Sequence, residues 1–409
     1  MREVVVVDIA RSAIGTMGGS LKNVKAIDLV AQVARAVVDR NKAKIKPEEY
    51  DYVFLGQVKQ NTICANIARN LVLNIGLPEH VPATTVTVAC GSGLLSMLEA
   101  GEFIKNGFAD IILAGGVESM STGEFFLSGK TNQALGTNNV TLMDSIIAGG
   151  PGGAPVERYG NIPMGNTAEN LVDIHQIPRA EQDEFALRSQ QLACKAIADG
   201  DFDKEIIPVR YEKADGSAAI FAVDEYPKKD ANLEAMAKLR PVFKKDGTIT
   251  AANSSGRNDG CAIAILMSRE KADELGIKSR AILVAGGVAG VDPSIMGRGP
   301  VPAVEIAMKK AGMKLQDMGL VELNEAFAGQ SLAVYREWQQ NWEVDRNWLD
   351  EHVNLFGGAI AMGHPLGGSG AILAAKLIHG LERTGSRYGL DTMCCGGGIG
   401  VAAIFEKVD

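Results

Sequence analysis

The chain has 409 residues and a formal charge of −8, which allows two or three domains with a sizeable core. Hydrophobic residues make up 46% and charged residues 22%, values that exclude a largely disordered or fibrous chain. Net acidity without a dense Lys/Arg block argues against nucleic acid as the main ligand, and no apolar run reaches the roughly 18 residues of a membrane span.

The chain opens on four valines at 4–7, a run too short for a secretory leader and read as a buried strand. Further apolar runs at 52–55, 84–89 and 111–114 read as strands. Between them, Ile27, Val30, Ala31, Ala34, Val37 and Val38 recur at helical spacing, as do Leu94, Met97, Leu98 and Phe103. This alternation predicts α/β layers around largely parallel sheets. From 119 to 248 the texture changes, with turn-rich stretches at 136–139 and 149–155 and a long charged helix at 179–199 opened by a proline. Polar stretches around Pro208 and Pro227 follow, and the whole reads as an inserted subdomain. Strand signals resume at 262–266, 281–288, 321–323 and 401–405. The carboxyl end, Glu406-Lys407-Val408-Asp409, carries neither a prenylation nor a peroxisomal signal. Six cysteines without a leader imply free thiols in a reducing compartment, so the expected location is cytoplasmic.

Glycine stands out, with 47 residues gathered in GG and GxG clusters, where backbone adopts positive φ or admits a close neighbour. Two clusters echo each other. Cys90-Gly91-Ser92-Gly93-Leu94 opens an apolar helix that leads through Asp110 to a strand and Gly115-Gly116. Gly367-Gly368-Ser369-Gly370-Ala371 opens another, leading through Asp391 to Cys394-Cys395-Gly396-Gly397-Gly398. A duplicated α/β unit with a ligand at the junction accounts for both.

Cys90 stands at a strand end before a helix, where the dipole and free N–H groups favour a thiolate and the glycines admit an acyl carbonyl. A buried structural cysteine is the other reading. His364, wrapped in glycines and fixed by Pro365 in extended backbone, is aimed outward, either to activate a thiol or merely as a loop residue. Cys394 and Cys395 face opposite sides of a strand, so one at most enters a given pocket. Asn324 and Glu325 follow the strand at 321–323, where α/β folds place reactive groups, although a helix cap would use the same asparagine. No second cysteine pair and no HxxxH accompany them, so no metal is expected. Neither a nucleotide-binding GxGxxG in strand–helix context nor a GxSxG elbow occurs.

Seven blocks in order carry a family resemblance: Val88-Ala89-Cys90-Gly91-Ser92-Gly93, Gly115-Gly116-Val117-Glu118-Ser119-Met120-Ser121, Met164-Gly165-Asn166-Thr167-Ala168-Glu169-Asn170, Asn253 to Gly260, Asn324-Glu325-Ala326-Phe327, Gly363-His364-Pro365 and Cys394 to Gly398. Together they resemble the thiolases over nearly the whole chain, and within them the acetyl-CoA acetyltransferase group. The resemblance implies a five-layered α/β/α/β/α core of two similar halves, with 1–118 and 249–276 as one half, 277–409 as the other, and a loop domain at 119–248.

By the same resemblance, Cys90 is the acyl-accepting nucleophile and His364 its activator, which also donates to the second substrate's thioester oxygen. Cys394 is the acid/base. Asn324 holds a water for one oxyanion hole, and the amides of Cys90 and Gly396 form the other. Ser255 lies near the pantetheine arm, Met164, Met296 and Phe327 line a short acyl pocket, and Lys228 is the candidate for a CoA phosphate. The implied reaction joins two acetyl-CoA into acetoacetyl-CoA and CoA without a cofactor, in a homo-oligomer, a tetramer or a dimer. Degradation of longer 3-ketoacyl-CoA is the alternative. A ketoacyl synthase would use one cysteine and two histidines, and a non-catalytic acyl-CoA carrier would lack Cys90 or His364. In close relatives isoleucine usually fills the position of Cys395.

Overall fold

The computed structural model describes residues 2–61, 63–127, 141–148 and 153–408; the turn-rich stretch at 136–139 and positions 149–152 lie outside them. The valine run belongs to strand β1 (Val4–Arg11), buried at all eight positions because layers cover both faces of its sheet. Beside it in the first half stand β2 (Tyr52–Gly56), β3 (Ala83–Val86), β4 (Ile111–Ser119) and β5 (Asn258–Ser268), in the spatial order β3-β2-β4-β5-β1. The second half repeats the plan with β6 (Ala281–Gly290), β7 (Leu320–Leu323), β8 (Tyr388–Cys395) and β9 (Ile399–Lys407), in the order β7-β8-β9-β6. The halves join where Val5 pairs with Ile282 and Val6 with Ala281.

The expectation of largely parallel sheets fails. Only β2 with β3 and β4, and β7 with β8, run parallel. The remaining pairings among these nine strands are antiparallel. Strand β8 turns straight back into β9 through 396–398, and β5 re-enters only after the long excursion. Neither connection is the helical crossover that a parallel neighbour requires. The strand expected at 84–89 also stops early, at Val86, and 87–89 lie beyond it in irregular backbone.

Helices α1 (Ala26–Asn41) and α2 (Ile67–Ile75) cover the outside of the first half. In the middle layer, α3 (Ser92–Lys105) and α8 (Leu366–Thr384) share one core with strands of both halves. Helices α4 (Met164–His175) and α5 (Arg179–Asp199) belong to the excursion, and α5 spans the range read from sequence. Both pack into the outer core of the second half with α6 (Pro300–Ala311) and α7 (Ala328–Trp342). Sheet and helix layers thus alternate five deep. No described helix is long and apolar enough to cross a membrane.

The glycine excess has a local cause in the middle layer. A Cβ on Gly93 would stand 2.7 Å from the Gly367 carbonyl, and one on Gly116 would overlap the same oxygen. Glycine at these positions lets the first turns of α3 and α8 cross in contact against β4.

Candidate active site

The turn before α3 presents Cys90. Ala89 takes φ 50°, a left-handed conformation that costs a non-glycine residue about 1–3 kcal/mol. Ser92 holds the turn: its Oγ accepts the Val88 N–H at 2.9 Å and donates to the Ala89 carbonyl at 2.6 Å. The Cys90 sulfur faces two N–H groups, that of Gly396 and its own. Burial nevertheless pushes its pKa up to about 11, and the Glu118 charge adds to the rise, against these amides and the Lys59 ammonium. The expected thiolate is therefore a thiol at rest, because desolvation outweighs the helix terminus.

His364 reaches the same crossing from the other half, two residues before α8. It is buried, not aimed outward: Pro365 extends the backbone, but the loop lies beneath β5 and α8 and not on the surface. Its N–H donates to Asn258 Oδ1 at 3.0 Å. Gly363 has φ 105°, and any Cβ there would overlap the Asn258 amide. The ring's Nδ1 lies 2.6 Å from Ser369 Oγ, while Nε2 is buried with no hydrogen-bond partner among the described residues. Burial lowers the imidazole to about 4, so the ring is neutral at pH 7.

The adjacent cysteines part as their strand requires. Cys394 joins an apolar cluster with Met296 and Phe327, against which Met164 and Phe243 pack. Cys395 faces the middle-layer core, and the Gly91 N–H donates to its sulfur. Burial raises the Cys394 thiol, and a charge on Cys90 raises it further, so the two sulfurs share one electrostatic environment. The phenyl rings of Phe243 and Phe327 meet edge to face, centroids 6.0 Å apart. Met164 Sδ lies 3.6 Å from the Cβ position of Gly396. Tyr159, Ile162, Met164, Pro293 and Gly397 line a narrow groove running up to the glycine turn.

Asn324 does not cap a helix; Phe327 occupies the N-cap position of α7. Both side-chain amide atoms of Asn324 are buried with no partner among the described residues, and with Pro365 and Ser369 it borders a small cavity. Glu325 turns inward, taking hydrogen bonds from Ser189, Asn354 and the Ile360 N–H. Ser255 is half-buried on a loop beside this one, its N–H donating to the Ala326 carbonyl. Lys228 stands apart and exposed, its ammonium 5.8 Å from the Tyr226 ring centroid, although that ring abuts Gly256 beside Ser255.

Sequence reasoning missed several residues that build the site. Glu118, fully buried, accepts N–H groups of Val58, Lys59 and Gly367, each at 3.0 Å, and so ties β4 to the first turn of α8. Lys59 donates to the Ser145 carbonyl at 2.6 Å. Asn258, Ser92 and Ser369 fix the loops that carry Cys90 and His364. All but Lys59 lie inside quoted motifs; no signal marked which polar side chains point inward.

Residues 4–270 match the family described as Thiolase, N-terminal domain, and residues 277–407 match Thiolase, C-terminal domain. The chain belongs to the thiolase family. This thiolase is 45% identical to an acetyl-CoA acetyltransferase of Syntrophomonas wolfei, with all of both chains covered. It is 44% identical to an acetyl-CoA acetyltransferase of Chromobacterium violaceum, over 99% of this chain and 100% of that one. The crystal structure of the Bacillus anthracis acetyl-CoA acetyltransferase superposes with a TM-score of 0.93 at 40% identity, covering 100% of this thiolase and 99% of that chain. Human mitochondrial 3-ketoacyl-CoA thiolase gives 0.91 at 38% identity, over the same shares of the two chains. The five-layered architecture is thus that of the family, and the chain is an acyl-transferring enzyme.

Proposed function

We propose that this thiolase joins two acetyl-CoA molecules reversibly into acetoacetyl-CoA and CoA, passing through an acyl-Cys90 thioester. The observation that carries the reading is the meeting of Cys90, Cys394 and the Gly396 amide at one end of an apolar pocket. Cys90 gives its proton to Nε2 of His364 and attacks the first thioester carbonyl, whose oxyanion faces the amides of Cys90 and Gly396. The departing CoA thiolate takes the proton of Cys394, leaving an acyl-enzyme with a Cys394 thiolate and an imidazolium. That thiolate then removes an α-proton from the second acetyl-CoA, while Nε2–H and a water at Asn324 hold the enolate oxygen. The enolate carbon attacks the acyl group, and the released Cys90 sulfur recovers its proton from His364. Every proton is returned, so the cycle needs no metal or organic cofactor.

Mass spectrometry after mixing with acetyl-CoA alone should find the acetyl group on the peptide bearing Cys90. The Cys90→Ser variant should lose both the label and turnover. An acetyl group on another residue overturns the reading.

A second reading is supported by the likeness to the human 3-ketoacyl-CoA thiolase: degradation of longer substrates. Met164, Met296, Phe243 and Phe327 crowd the pocket and favour short chains. A kcat/KM for a six-carbon 3-ketoacyl-CoA above that for acetoacetyl-CoA would select the longer substrate. Ser255 and Lys228 belong to this proposal as contacts for the CoA arm. So do the chain division at 119, 249 and 277, a cytoplasmic location, and a homo-oligomer covering exposed Phe125, Leu142 and Ile147.

A further inference from the structure

The two nitrogens of His364 are treated very differently. Nε2 is buried without a partner among the described residues, whereas Nδ1 lies 2.6 Å from Ser369 Oγ. Ser369 is itself buried in the first turn of α8, and its Oγ lies 3.0 Å from the Pro365 carbonyl. One hydroxyl proton decides the arrangement. Directed at the Pro365 carbonyl, the usual backward hydrogen bond of a helical serine, it leaves Oγ to accept from an Nδ1–H. Directed at Nδ1, it forces the proton onto Nε2, where it would be an orphaned buried N–H, the rarer kind of unsatisfied group. Asn258 fixes the backbone that carries the ring: its carboxamide oxygen accepts the His364 N–H, and its amide fills the space beside Gly363.

We propose that Ser369 is a positioning residue that keeps a proton on Nδ1 of His364 throughout the cycle, so that all proton traffic passes through Nε2. This rests on the reading of His364 as the base for Cys90 and adds the reason it works from one nitrogen. In the acylation half, the bare Nε2 accepts the Cys90 proton and the N–H bond formed replaces the S–H bond broken. In the condensation half the same Nε2–H returns that proton to the departing Cys90 sulfur. Ser369 accepts from Nδ1–H in both states while its own O–H keeps donating to the Pro365 carbonyl, so no proton is lost or gained at Nδ1.

Nitrogen NMR of histidine-labelled enzyme, with His364→Asn to assign the signal, reads the tautomer without any need for turnover. The expected signature at pH 7 is a protonated Nδ1 and a bare Nε2; the reverse pattern overturns the proposal. In Ser369→Ala the Nδ1 signature should be lost or mixed. Iodoacetamide should label Cys90 roughly five- to thirtyfold more slowly, the loss of one hydrogen bond expressed as a rate. The acetyl-CoA KM should stay near that of the parent. Ser369→Thr, which keeps the hydroxyl, should restore the signature and most of the rate. An alanine variant with the parental signature and labelling rate would defeat the assignment to Ser369. Labelling or acylation at a residue other than Cys90 would instead defeat the functional reading, while the NMR result stands by itself.

Discussion

At the residue scale, the site is built from groups that burial keeps uncharged. The Cys90 thiol is pushed up to about 11 and the His364 imidazole down to about 4, so the pair rests as thiol and neutral base. A neutral imidazole stops accepting protons only when acid protonates it, and on the proposed mechanism this one is the base. The kcat/KM profile should therefore show no His364 inflection near the ordinary 6.5, and its histidine limb should fall near pH 4. An acid limb near 6.5 that disappears in His364→Asn would contradict this. Asn258 acts on the same ring through the backbone. Asn258→Ala should lower kcat about tenfold, the value of a hydrogen bond to a buried group, with little change in KM. Parallel steady-state assays of parent and variant check the split; a change in KM alone would assign Asn258 to substrate binding.

At the scale of elements, Glu118 is the joint between β4, the segment after β2 and the start of α8. Burial raises its pKa from 4.5 to about 7, although three N–H groups pull it down. An acid raised on folding binds its proton more tightly in the folded state. Its contribution is present below 4.5 and is lost as pH climbs through 7, by about 3 kcal/mol. Glu118→Gln should flatten that part of the pH dependence and lower the melting temperature, since an amide sets an N–H group against the Lys59 N–H. Thermal melts at pH 5, 6, 7 and 8 measure both effects, and equal slopes for the two proteins would contradict the assignment. The nearby helix crossing leaves no room for a methyl group. Gly93→Ala should cost about 1–3 kcal/mol and reduce activity more than any Gly→Ala change at an exposed turn, a comparison that calorimetry and turnover together provide.

The elements also show what the sequence could disclose. The buried strands were visible as β-branched runs, and α5 was legible to its ends because a proline opens it and a glycine closes it. Strand direction was not legible, since β8 and β9 have the same apolar texture whichever way they run. Cys90, His364 and Cys394 were marked by their glycines. Asn258 was hidden because its partner His364 lies 106 residues away in the chain. Glu118 and Ser369 look, in a string of letters, like any polar residues near a turn.

Over the whole molecule, polar groups penetrate further than hydrophobic layering alone would allow. Lys376 on α8 donates to Glu322 on β7 at 3.0 Å and to the Gly357 carbonyl at 2.6 Å, with both side chains almost wholly buried. Asp391 lies opposite Glu322 on the neighbouring strand, and burial together with the Glu322 charge raises its pKa well above the ordinary carboxylate value. Removing the lysine would strand a carboxylate in the interior. Lys376→Met should destabilise by about 3–5 kcal/mol, measured by urea unfolding. A double variant, Lys376→Met with Glu322→Leu, should recover much of that loss, because no stranded charge remains.

The shared middle layer has one more implication. Each half contributes one face of the crossing, the sulfur of Cys90 from one side and the imidazole of His364 from the other, so neither half encloses a crevice by itself. Nicked between 270 and 277, the polypeptide would yield two fragments, each baring a greasy flank. Turnover would come back only on mixing, and with second-order kinetics.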